Sequence, residues 1–110
     1  MATLTPTVLS RAGVSLAGVS ASVAGDTWKN TGSEVLVVAN GGVGSVTLTF
    51  AVPVLIDGGL AVASRTVAVG AGITMAMGPF PPSIYNSDEG MAVVTYSGVT
   101  SVSVRLLQWP

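Results

Sequence analysis

The sequence predicts an all-β fold: a single-domain β-sandwich of jelly-roll or immunoglobulin-like type, built from roughly eight short strands. Three observations lead there. Apolar and small polar residues alternate with period two, most clearly in Val46-Thr47-Leu48-Thr49-Phe50-Ala51-Val52. Turn residues punctuate the chain about every 8 to 12 residues. No stretch supports a helix of useful length, because the Ala-containing residues 14–24 are rich in Val and Ser and interrupted by Gly18.

Composition sets the bounds. A chain of 110 residues holds one domain, residues 1–110, with a modest core. It is 49% hydrophobic and only 8% charged, against roughly 25% charged residues in an ordinary soluble domain. Its polar surface must be built from Ser, Thr, Asn and Gly, with little charge to keep copies apart. Such a surface suits a protein packed against copies of itself or a larger partner.

In chain order, residues 1–11 are apolar at Leu4, Val8 and Leu9 and carry Pro6, which cannot donate to a central ladder; they read as an edge strand or an extended arm. Residues 14–24 form a strand whose phase shifts at Ala17-Gly18, the mark of a bulge. Residues 25–32 read as a loop with turn chemistry at both ends, in which Trp28 either plugs one end of the sandwich or anchors an interface. Residues 34–52 read as the central β-hairpin. Asn40-Gly41-Gly42 supplies the positive φ of a primed turn, and Val43-Gly44 lengthen the loop. The first arm of this hairpin, Val35-Leu36-Val37-Val38-Ala39, is apolar on both faces, so a second layer or a neighbouring subunit must cover it.

Pro53 ends ladder pairing. An apolar patch, Val54-Leu55-Ile56, and a turn, Asp57-Gly58-Gly59, lead into a strand over residues 60–69 that sends Arg65, Val67 and Val69 to one face. After Gly70-Ala71-Gly72, a strand over residues 73–77 puts Ile73, Met75 and Met77 together. Gly78-Pro79-Phe80-Pro81-Pro82 then imposes an extended connection that crosses from one sheet to the other. A turn over residues 86–90 precedes the strand 91–96, and residues 99–108 close the fold with Val102, Val104 and Leu106 inward.

Reactive chemistry is poorly supplied. Histidine and cysteine are absent, which removes the commonest general base and any thiolate or imidazole metal ligand. Four of the five carboxylates, Asp26, Asp57, Asp88 and Glu89, sit in expected turns or loops, and Glu34 opens a strand. Asn86, Asp88 and Glu89 offer oxygen ligands but fall short of the six to eight that Ca²⁺ takes. No catalytic residue, cofactor or metal is expected. The four cations, Arg11, Lys29, Arg65 and Arg105, are scattered, so nucleic acid is not an expected partner.

No apolar run approaches the ~18 to 20 residues of a membrane-spanning helix. Two Trp, two Tyr and two Phe cannot build the two aromatic girdles of a membrane barrel. No membrane association is therefore expected. The first residues also lack the positive charge of a secretory leader before Arg11, so no cleaved leader is expected.

Taken together, Gly25-Asp26-Thr27-Trp28, residues 30–38, Asn40-Gly41-Gly42, Gly78-Pro79-Phe80-Pro81-Pro82 and residues 96–102 resemble a type of small virion protein from tailed bacteriophages. The resemblance covers most of the chain from Gly25 onward and implies a capsid decoration or cement protein. Such a protein is a non-enzymatic structural component on the outer capsid surface of the virion, bound to the major capsid protein. A homotrimer is expected from the recurring three-fold sites of capsid lattices. The candidate interface residues are Leu4, Val8 and Leu9, the aromatics Trp28, Phe80 and Tyr85, and Leu107 and Trp109. Two rivals remain open: a displayed sandwich that stacks a glycan on Trp28, Tyr85 or Trp109, and a tail-tube or head-tail connector component.

Overall fold

The computed structural model describes residues 2–15, 18–53, 55–56, 59–61 and 63–109. Two five-stranded sheets face each other in a slab of 41 × 35 × 19 Å, a thickness that fits two layers about 10 Å apart with their outward side chains. The first sheet runs in the order β1 (Ala2–Thr3), β4 (Asp26–Lys29), β11 (Met91–Tyr96), β6 (Val46–Phe50), β9 (Arg65–Val69). The second runs β10 (Thr74–Met77), β5 (Glu34–Asn40), β12 (Val102–Gln108), and the far edge of β12 carries two short strands: β3 (Val19–Ser20) at Ser103 and Val104, and β2 (Thr7–Val8) at Leu107 and Gln108. A separate ribbon pairs β7 (Leu55–Ile56) with β8 (Leu60–Ala61), and α1 (Pro82–Tyr85) is a single helical turn.

The period-two pattern does what it predicts for the core. Leu36 and Val38 of β5, Val46, Leu48 and Phe50 of β6, Ala92 and Val94 of β11, and Val102, Val104 and Leu106 of β12 are all buried between the sheets. At one end the core turns aromatic. The Phe80 ring lies 4.8 Å from Phe50, 5.3 Å from Tyr85 and 5.5 Å from Trp28, the last two edge-on. Edge-to-face pairs of this kind add about 0.5–1.5 kcal/mol each beyond the burial of their area. Four of the candidate interface residues, Leu4, Trp28, Phe80 and Tyr85, keep 8% or less of their surface exposed and pack into the core of the chain, which for Trp28 is the plug of its two expected readings.

The central hairpin is not formed. β5 lies in the second sheet and β6 in the first, so residues 41–45 arch across the sandwich. Neither Gly41 nor Gly42 has the positive φ of a primed turn. The physical reason is the Asn40 side chain, which points inward and is 2% exposed. Its amide donates to the carbonyls of Gly44 and Val69 and accepts from Gly42 N–H. Its backbone pairs with Ile73 and Gly72, and Gly41 N–H donates to Ser101. The turn is thus bonded to loops distant in sequence rather than across itself.

Other boundaries move as well. The loop expected over residues 25–32 contains β4, whose Asp26 and Trp28 face inward. The strand expected over residues 60–69 is split into β8 and β9, and the long strand expected over 14–24 is reduced to β3. The phase shift at Ala17 and much of the turn at Asp57-Gly58-Gly59 lie outside the described residues. Residues 2–9 are edge strands on both sheets: β1 pairs with β4 in parallel and β2 with β12 in parallel, so the segment straps the two layers with Leu4 buried beneath it. The proline-rich link crosses from β10 in the second sheet to β11 in the first, as the sequence indicates.

Gly25 and Gly44 make opposite predictions. A Cβ on Gly25, at φ +96°, would meet Val94 O at 2.7 Å, whereas one on Gly44 would meet nothing within 4 Å. Gly25→Ala is expected to cost at least about 1–3 kcal/mol in denaturant unfolding, and Gly44→Ala to be neutral or slightly stabilising. Equal effects would contradict this placement of the β3–β4 turn against β11.

Candidate functional site

The two outer faces differ. The outward residues of the first sheet include Thr27, Thr47, Thr49, Thr66 and Thr95, with Thr95, Thr49 and Thr66 in one row across three strands. The outer face of the second sheet has an apolar row along β5 with polar neighbours: Val35, Val37 and Ala39 of β5 lie beside Leu107, Arg105 and Ser103 of β12 and, for the latter two, Ala76 and Thr74 of β10. These β5 residues are half-buried. Among the described residues no second sheet packs on them, so the covering expected for the two-sided strand is supplied there on one side only.

At one corner of this face the backbone builds a groove. Leu9 N–H donates to Gln108 O at 2.9 Å, and Trp109 N–H donates to Ser33 O at 3.1 Å. These bonds hold the segments after β2 and β12 against the start of β5. The groove of about 110 Å³ between them is lined by Leu9, Val35, Leu107, Gln108 and Trp109, with only apolar surface exposed inside it. Trp109 is 60% exposed, and Val8, opposite Gln108 in the register, is 50% exposed. Of the eight candidate interface residues, the structure brings Leu9, Leu107 and Trp109 together and places Val8 beside them. Val35 was the missing partner. Its signal was present in the sequence, as the outward residue of a strand apolar on both faces.

The buried polar groups are locks. Glu34 accepts hydrogen bonds from Thr31 N–H at 2.7 Å and Thr31 Oγ1 at 2.6 Å. Asn30 donates to Phe80 O and to Asn86 Oδ1, and Asn86 donates back to Asn30 O. This exchange commits Asn86, one of the three oxygen donors considered for Ca²⁺, to holding the loop. Among the described residues no group of three His, Cys, Asp or Glu side chains gathers as a metal site. Asp26, fully buried, accepts from Tyr96 Oη at 2.6 Å and from Ser22 N–H at 3.3 Å. Burial pushes the Tyr96 phenol well above its ordinary value, and the hydrogen bond to Asp26 and its charge push the same way. The phenol is a fixed donor to the carboxylate rather than a proton-transfer group.

No protein-family model, curated protein or solved structure matches this chain.

The Tyr96–Asp26 pair sets a pH dependence. The folded state keeps the phenol proton after the unfolded chain, with a pKa of about 10, has lost it. Its contribution is complete below about pH 10 and is lost as the pH rises through the alkaline range. Tyr96→Phe is expected to lower stability at neutral pH by about 1.5 kcal/mol or more, the worth of a hydrogen bond to a charged group, and to flatten the alkaline loss in urea melts. An unchanged alkaline slope would show that other groups carry it.

Proposed function

We propose that this protein is a non-enzymatic structural component of a tailed-phage virion, a decoration or cement protein that seats the outer face of its second sheet on the major capsid protein. The observation that carries this reading is the apolar groove of Leu9, Val35, Leu107 and Trp109 on a face of low charge. An exposed tryptophan set in apolar surroundings is the kind of anchor that dominates interfaces. The resemblance of residues 25–28, 30–38, 40–42, 78–82 and 96–102 to small head-structure proteins points the same way. On this reading the protein sits on the outside of the capsid, and three copies meet at the three-fold positions of the lattice.

A glycan-binding reading rests on Trp109 alone, whose exposed ring has Gln108 beside it. The other two rings considered for it, Trp28 and Tyr85, are in the core.

The test is sedimentation with capsids that lack the protein, alongside light scattering to give the mass of the free form. The unmodified chain is expected to co-sediment and to raise the heat resistance of the capsids. Trp109→Ala is expected to reduce affinity about 30-fold, the equivalent of a 2 kcal/mol anchor, while leaving the fold intact. Undiminished occupancy of the variant would sink the assignment of this face, and failure of the unmodified chain to bind any capsid would sink the decoration reading.

A further inference from the structure

At the aromatic end of the sandwich a cleft of about 370 Å³, lined by none of the groove's residues, opens between β9, β10 and α1. Its walls include Phe50, Val67, Met77 and Ile84. Among the described residues Arg65 is the one charged side chain that lines it, and the Tyr85 hydroxyl the one other side-chain polar group. The size falls within the usual range of small-molecule sites, which are mostly apolar with a few placed polar groups.

Arg65 opens β9 opposite Phe50. It therefore shares the face of Val67 and Val69 that looks toward the other sheet, at the place where the two layers part. Its Nε donates to Tyr85 Oη at 2.8 Å. Tyr85 is itself buried edge-on against Phe80, so the guanidinium is anchored to a rigid ring rather than swinging free. That bond uses one of five donors and leaves both Nη groups for a ligand. The two buried carboxylates are engaged elsewhere, Asp26 by Tyr96 and Glu34 by Thr31. Tyr85 is the only hydrogen-bond partner of the Arg65 side chain among the described residues. A second, more polar hollow, lined by Val52, Ser64 and Thr66, also borders Arg65, Ile84 and Tyr85, so the cationic head stands where two hollows meet.

We infer that this cleft binds a small amphiphilic carboxylate, with the carboxylate on the Arg65 fork and the apolar chain against Phe50, Val67, Met77 and Ile84. A planar guanidinium held at Nε presents its Nη groups in the geometry that carboxylates accept two at a time. An apolar chain displaces water from walls that no part of the described fold fills. A neutral analogue of the same length gains only the second of these interactions.

Isothermal titration with decanoate and decyltrimethylammonium below their micelle concentrations, and with decanol below its solubility limit, tests this. Decanoate is expected to bind saturably, one molecule per chain, and roughly tenfold or more tighter than decanol, with the difference shrinking at high salt. Arg65→Met should abolish the preference for decanoate while keeping the decanol affinity. Tyr85→Phe, which frees Nε, should reduce the preference without removing it, and Trp109→Ala should leave it unchanged. Circular dichroism of each variant reports whether it folds. The comparison of the three ligands on the unmodified protein stands even where a variant does not. Absence of saturable decanoate binding, equal affinity for decanoate and decanol, or a preference that survives Arg65→Met would each overturn the inference.

Discussion

The position of Phe80 governs much of this molecule. It lies on the link between β10 and β11, so it belongs to neither sheet, yet its ring meets Phe50 and Trp28 of the first sheet and Tyr85 of α1. Its backbone carbonyl accepts from the Asn30 amide, which ties the link to the end of β4. The contact closes the end of the sandwich, fixes the path by which the chain crosses between layers, and holds Tyr85 where it can anchor Arg65. Packing and polar satisfaction support each other here. The rings exclude water from the amide bonds, and the amide bonds keep the loop from drifting off the rings.

Alternation made the strands legible, because period two states which side of a strand faces the core. It does not state which strand lies next to it. β6, β11 and β12 could be read directly from Val46, Leu48 and Phe50, from Ala92 and Val94, and from Val102, Val104 and Leu106. The pairing of β5 could not. Asn40-Gly41 carries a strong local hairpin signal, but the Asn40 amide is satisfied by Gly44 and Val69, and that outcome depends on β9, 29 residues away. β4 was hidden for a related reason. Asp26 reads as a turn residue until Tyr96, 70 residues along the chain, supplies the donor that lets it be buried.

The same division runs through the surface sites. Leu9, Leu107 and Trp109 were visible as apolar residues with no obvious place in a small core, and the structure gathers them in one groove. Trp28, Phe80 and Tyr85 looked equally suited to an interface, since an aromatic in a polar or proline-rich segment gives no local sign of whether it points in or out. Only the crossing of the 78–82 link over the sheet edge decides it. The Arg65–Tyr85 pair left no sequence signal, because it joins the first residue of a strand to the last residue of a helical turn 20 positions later.

Charge explains why the outer faces matter so much to this chain. Two of its five carboxylates, Asp26 and Glu34, are fully buried and held by hydroxyl and backbone donors rather than by cations. Local donors avoid the cost of burying a lysine or arginine beside them. The consequence is a surface with few charges left to set long-range repulsion. On the proposed reading, approach to a larger assembly would then be decided at short range by which apolar face fits. The threonines of the first sheet can be solvated through their hydroxyls, whereas Val35, Val37, Leu107 and Trp109 cannot. On the same reading, the outer face of the second sheet, along β5, is therefore the side that would meet a partner.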